Sequence, residues 1–567
     1  MNPRLNNSNR RSLSAVSKSF AIGITFACVT AGSTHVASAQ TAPQMSRPAS
    51  AVWDFAPAMI EHMRKMRRYK DPARASEYIP PVIDRFRVDL DPKGAIASFQ
   101  PNGATITANN AFFQDLGTNG RRCVTCHQPQ NGWSVSARDV AERFERSNGT
   151  DPIFRLVDGA TCPSDDVSTL RARRKAYKLL TEKGLIRIGL AIPATAEFTV
   201  TAVNDPYGCN TSPDTGITKQ TANQTVGILS MYRRPLPSTN IAFDSAIMWD
   251  GRESPANVDL DTGFRNQAVD ATLGHAQAAV PPTPEQVDQI VKFQKGIFTA
   301  QLFDDKAKLL TDDNATAGPV ALASQQFFIG INDPLGGNPQ GTPFTSAIFN
   351  IFQSWLNAGT RHNYGHGTPM ATDELLRRVN ISDVWRWNEH EFDRVNEHRR
   401  SVARGEEVFN TKKIVIAGVS GLNDKLGVDH VDGSCGTCHD APNVGNHSVK
   451  LPIDIGVPDA GAKKPPGLDI AGLPVFTLTC SNVAEGDPLK GKVYQVTDLG
   501  KAMISGKCAD IGLFKGPILR GLAARAPYFH NGGAANLRDV VDFYDKRFNI
   551  GFTEREKHDL VNFLKTL

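Results

Sequence analysis

Cysteine, histidine and long apolar runs are all scarce in this chain, and each scarcity narrows what it does. Only nine cysteines and 13 histidines occur in 567 residues, so a cluster of the two stands out against a thin background. Beyond the first 40 residues no stretch is apolar for long enough to span a bilayer. A surplus of one charge is missing too. The formal net charge is +5, but Arg4, Arg10, Arg11 and Lys18 supply four of these charges within residues 1–39, where there is no acid. The remainder is close to neutral, which removes any electrostatic case for nucleic acid or a strongly anionic partner.

The basic start, the apolar run "FAIGITFACVTAG" and the small-residue site Ala37-Ser38-Ala39 read as an export signal over 1–39, too short to serve as a membrane anchor. The expected mature protein is periplasmic or secreted, without a transmembrane segment. Cys28 leaves with the signal. Of the eight cysteines that remain, Cys162, Cys209, Cys480 and Cys508 suit disulfides in an oxidising compartment. Three connectivities are open, and pairing neighbours in sequence is the simplest.

The other four make two matching units, Cys123-Val-Thr-Cys126-His127 and Cys435-Gly-Thr-Cys438-His439. C-x-x-C-H is the attachment pattern of c-type haem. On a helical turn positions i and i+3 share a face, so both thiols reach the vinyl groups of one porphyrin. The next histidine turns toward the iron as its proximal ligand. A thioredoxin-like pair would need a βαβ setting, and a zinc ribbon would bring its cysteine pairs closer in sequence. Two covalent c-type haems are therefore expected, on His127 and His439.

The length allows two to four domains. After the signal, residues 40–95 read as an irregular arm with a helix around "APAMIEHMRKMRRY". Residues 96–395 read as an N-terminal haem domain with insertions, and 396–567 as a C-terminal cytochrome c haem domain. "NNAFFQDLG" and "RGEEVFN" each predict a short helix leading into a clip. Clusters such as "NDPYGCNTSPDTG" and "INDPLGGNPQGTP" predict long loops. Leu560, Phe563, Leu564 and Leu567 form one apolar face of a final helix. His362 and His366 lie in "HNYGHG", a poor helix, and do not make a metal site.

"MWDGRESPANVDLDTGFRNQAVDATLGHAQA" and "LRGLAARAPYFHNGGAANLRDVVDFYD" are more specific than the clips. They resemble the bacterial di-haem cytochrome c peroxidases and their MauG-type relatives, from about residue 100 to the end. The resemblance implies a mainly α fold of two cytochrome c-like haem lobes with long loop insertions. It makes Trp249 an electron relay between the haems and puts Gln267 in the distal pocket of the first. The family's glutamate, about ten residues after that Gln, is missing. His275 stands nearby, and three roles are open for it: proton relay, iron ligand or core hydrogen bond. No histidine lies between His127 and His275, which leaves the first iron with an open position. For the second iron, counting along the family's motif points to Tyr544, with His530 as the alternative.

Arg233 or Arg234 in "YRRPLPSTN" suits the anchoring of a haem propionate, and His447 suits either a propionate contact or a surface. Relatives hold calcium between the lobes through a threonine before A-P-Y; Arg525 stands there, and calcium is not predicted. The implied activity is reduction of hydrogen peroxide, or peroxide-driven oxidation of a partner, through high-valent haem iron. The electron donor would be external, such as a small cytochrome or cupredoxin. Two alternatives are an O₂-dependent oxygenase similar to the rubber-cleaving enzymes and a plain electron-transfer cytochrome.

Overall fold

Strands built from β-branched residues set the framework of the computed structural model, which describes residues 79–211, 217–221, 224–359 and 389–567, all within one unit. The expected signal, the arm as far as residue 78 with its helix, and His362 and His366 lie outside the described residues.

The expectation of a mainly α chain is corrected: the protein is 33% helix and 16% strand, and its strands form several sheets. The reason is visible in three short segments. "IRIGLA", "TVTAVN" and "VFTLT" alternate or concentrate Val, Ile and Thr, which favour a pleated, half-buried surface. Phe476 and Leu478 point inward from Val475–Thr479 and are fully buried, whereas their neighbours are half-buried.

Two of the sheets join distant parts of the chain. Gly94–Phe99 pairs antiparallel with Phe298–Asp304, in a four-stranded sheet completed by Phe86–Asp91 and Lys308–Leu309. Thr199–Asn204 pairs antiparallel with Val475–Thr479, which also carries Val493–Val496. Disulfides join Cys162 to Cys209 and Cys480 to Cys508, the simplest of the three connectivities.

The helices gather around the two clips. Leu260–Gly274 starts at Asp259, whose side chain accepts from Thr262 N; Pro284–Lys295 starts at a Thr283/Gln286 capping box with proline in its first turn, both ordinary solutions for unpaired N-terminal amides. Near the other clip, Leu537–Phe548 and Glu554–Lys565 each begin with a capping box. The apolar face expected of the final helix is buried: Leu560, Phe563, Leu564 and Leu567 all lie in a core shared with Phe349, Phe352, Trp355 and Phe409. Helix Glu389–Thr411 packs on Glu554–Lys565 so closely that a Cβ on Gly405 would stand 2.0 Å from the Asp559 carbonyl oxygen. That 23-residue helix runs through positions 395 and 396 and ends in "RGEEVFN" before the second clip. Before the first clip, "NNAFFQDLG" makes two short 3-10 turns in place of one helix, Thr107–Asn109 reaching its first residue and Ala111–Phe113 capped by the Asn110 side chain.

Candidate haem site

Each clip folds locally so that its histidine is oriented by a carbonyl six residues on. Cys123–Cys126 forms one helical turn and Cys435–Thr437 one 3-10 turn. His127 Nδ1 lies 2.9 Å from Trp133 O, and His439 Nδ1 lies 2.7 Å from Gly445 O. Each Nδ1–H donates to its carbonyl, which fixes the tautomer and leaves Nε2 with its lone pair. Burial, slightly opposed by that hydrogen bond, brings both imidazoles down to about 4, so both are neutral, as a metal ligand must be. Trp133 and Gly445, whose carbonyls accept these bonds, both take left-handed backbone, at φ 55° and 72°. Gly445 meets its conformation without strain. Trp133 is held to it by burial and by its Nε1–H, which donates to Ser98 Oγ at 2.8 Å. Ser98 is in turn 2.9 Å from Thr299 on the neighbouring strand, so the four-stranded sheet positions the first histidine.

The four clip cysteines are free of disulfides. Burial pushes the Cys123, Cys435 and Cys438 thiols up to about 12 and raises Cys126 as well. Each clip opens into a cavity, of about 180 Å³ at the first and about 230 Å³ at the second. Paired protonated thiols, a neutral imidazole with a free Nε2 and a mostly apolar cavity fit a haem at each clip.

Gln267 and His275, both on or at the end of Leu260–Gly274, line the first cavity. Among the described residues no partner hydrogen-bonds the Gln267 side chain. His275 Nδ1 lies 2.5 Å from Asp158 Oδ2, and the other oxygen of Asp158 pairs with Arg121. Burial alone would raise the Asp158 carboxyl, but Arg121 and His275 outweigh it and hold the group below its usual range. Asp158 and Arg121 carry no sequence signal that sets them apart; only the fold brings them to His275. A carboxylate was sought downstream of Gln267, yet the fold supplies one from upstream. Glu253, within the W-D-G-R-E-S run, faces Asp270 and is pushed up to about 7, first by burial and then by Asp270. Neither acid is among the residues lining the cavity.

Tyr544, His530 and His447 line the second cavity. Tyr544 lies on Leu537–Phe548, half-buried, with its phenol raised by burial above the normal range. His530 is buried, stacks on Phe514 at 3.9 Å and has no partner at Nε2. His447 is buried too, 3.3 Å from Asp440, which takes it off the surface. Trp249 lines both cavities. Its Nε1–H donates to Arg234 O at 2.7 Å, and its ring meets His530 at 6.1 Å in an edge-on contact.

The two candidate anchors divide. Arg233 is committed to carboxylates, with Nε and Nη2 on Asp498 at 2.6 and 2.8 Å and Nη1 on Asp250 at 2.5 Å. Arg234 contacts only main-chain oxygens.

Histidine, thiols and cavity together define a haem protein of the cytochrome c class. Comparison with known proteins narrows this. The cytochrome-c peroxidase IdrP2 of Denitromonas iodatirespirans is 32% identical over 142 residues, 24% of this chain and 36% of that protein. The cytochrome c551 peroxidase of Nitrosomonas europaea is 41% identical over 69 residues, 12% of this chain and 21% of that protein. The chain is similar to these cytochrome-c peroxidases over part of its length, and the matches span about a third or less of those relatives' length. A solved MauG-like protein associated with microbial copper homeostasis aligns over 81% of this chain and 86% of its own, at 13% identity and a TM-score of 0.30, too low to argue from. No family model matches the chain.

Proposed function

We propose that the protein is an exported di-haem c-type oxidoreductase that reduces hydrogen peroxide, or uses it to oxidise a partner. The observation that carries this reading is the meeting of the two clip cavities at Trp249, with Gln267 and the Asp158–His275 pair in the first. Cys123 and Cys126 would hold one haem, with His127 as proximal ligand. Cys435 and Cys438 would hold the other, with His439 as an iron ligand and Tyr544, or alternatively His530, available as a second. Haem supplies the redox chemistry on peroxide when bound; the chain's own groups orient the oxidant and manage protons.

With Nδ1–H given to Asp158, His275 keeps Nε2 as a base that takes a proton from an incoming peroxide and returns it to the departing oxygen. Gln267 contributes an amide N–H with no competing partner, suited to holding the oxidant. Trp249, in edge contact with His530, passes electrons between the two centres. The donor that refills them would be a small cytochrome or cupredoxin. In this reading residues 96–395 and 396–567 each supply one haem-binding portion, and the segment 1–39 directs export to the periplasm or beyond.

The test is rapid mixing of the purified diferric protein with stoichiometric hydrogen peroxide, followed in the Soret and visible bands. A fast change that reverses on adding an electron donor is expected. An unchanged spectrum would remove peroxide activation of the diferric form and leave the O₂-dependent and electron-carrier readings.

A further inference from the structure

Most buried cations among the described residues make ion pairs with acids; buried Arg234 and Arg520 and half-buried Arg525 do not, and of these Arg234 and Arg525 lie at the second cavity. Arg233 has Asp250 and Asp498; Lys515 has Asp244 at 2.7 Å; Arg143 has Asp151 at 2.5 Å. Arg234, only 5% exposed, instead donates to three carbonyls: Lys183 O at 2.9 Å, Val135 O at 2.5 Å and Arg525 O at 2.7 Å. Arg525 donates Nη2 to Ile518 O at 2.7 Å, and its buried Nε has no partner. Both line the cavity that holds Cys435, Cys438 and His439.

A buried charge without a counter-charge is strongly unfavourable, and here two like charges lie close together. Burial lowers Arg234 to about 9, with the charge of Arg525 acting in the same direction, and lowers Arg525 to about 10. The backbone is shaped to admit the first of these guanidinium groups. Gly184 has φ +61°, and a Cβ there would stand 2.3 Å from Arg234 Nη1. Carbonyl contacts satisfy hydrogen bonds but do not neutralise charge, so the pair calls for an anion. A planar guanidinium matches a carboxylate in two parallel bonds.

We infer that Arg234 and Arg525 form a carboxylate-binding pair at the second cavity, and that the carboxylate is a propionate of the haem held by the second clip. This rests on that haem being present, but not on peroxide activity. Arg525 is the new element, because it stands in the chain far from the segment that suggested an anchor. A free small carboxylate offers the same chemistry, and the experiment separates the two sources.

Holoprotein is made in cells supplied with 5-aminolaevulinate labelled with carbon-13 at C1, which marks only the propionate carboxyls. Redox-difference infrared spectra are then compared for the wild type, Arg525→Gln, Arg525→Lys and Arg234→Gln, with haem content measured separately. The labelled carboxylate bands are expected to shift in both Gln variants and to return toward the wild-type position in Arg525→Lys, which keeps the charge. Labelled bands that stay in place in the Gln variants overturn the inference. So do bands in the unlabelled region that respond to added acetate, since they identify a free anion as the ligand. Fewer than two haems per wild-type chain would overturn the inference through the reading on which it rests, and the haem assay reports that outcome separately.

Discussion

Asp498→Ala should be among the most destabilising single changes in the protein. The side chains of Arg233, Asp250 and Asp498 are 3%, 0% and 2% exposed. Asp498 accepts two guanidinium bonds, at 2.6 and 2.8 Å, and its Oδ1 also accepts Gly500 N at 2.8 Å. Without it, Arg233 keeps only Asp250 among the described residues, and Asp250 is already shared with Arg252 at 3.0 Å. Removing one partner of a buried pair costs about 3–5 kcal/mol, because the other charge stays buried. That corresponds to roughly a hundredfold to several-thousandfold in the unfolding equilibrium. Equilibrium denaturation of the holoprotein, followed by Soret absorbance and by tryptophan fluorescence, measures it. A loss below about 1 kcal/mol would refute the reasoning, since that is the scale of an exposed pair. The acid side of the wild-type profile gives a second check. Burial favours the neutral form of Asp250, but Arg233 and Arg252 outweigh it and hold the carboxyl below 3.8. With the folded value depressed, its contribution is complete above the unfolded value and disappears only as pH falls through the folded one.

Three further outcomes follow from the geometry. His275→Ala should slow the reaction with peroxide by about 10²–10⁴-fold, the usual range for a lost acid–base group, with haem content unchanged; a rate within threefold of wild type, roughly 0.7 kcal/mol, would remove His275 from proton transfer. Gly405→Ala forces helices Glu389–Thr411 and Glu554–Lys565 apart and should cost about 1–3 kcal/mol by denaturation, and a neutral result would mean the backbones do not meet as closely as described. Glu253 is raised from 4.5 to about 7, so its ionisation should lower stability as pH rises through that interval. Glu253→Gln should flatten that decline, and an unchanged profile would assign it to other groups.

What the sequence disclosed, it disclosed through chemistry that is local. A clip is five consecutive residues, so the two Cys-x-x-Cys-His units stand out at once, and the apolar face of the last helix was legible too. The disulfide partners lay near enough in sequence for the simplest pairing to hold. The mainly α expectation failed because it was carried over from the resemblance, and nothing local in "TVTAVN" or "VFTLT" says which strand each will meet. Arg233 and Arg234 are adjacent and alike in sequence. Only the fold gives one of them two carboxylates and the other none. Asp158 was invisible for a similar reason: its importance is its 2.5 Å approach to His275, 117 positions away.

The sheet that joins Thr199–Asn204 to Val475–Thr479 bears on how the chain is built as a molecule. Until the later strand has been made, the earlier one offers its open edge to anything extended nearby. A fragment ending before residue 475 would keep both clips but expose that edge, along with the buried faces of Phe198 and Val200. Such a fragment should self-associate rather than stand in for half of the protein. One strand of this sheet follows the first clip and the other two follow the second, so cutting the chain between the clips removes a strand partner from each part.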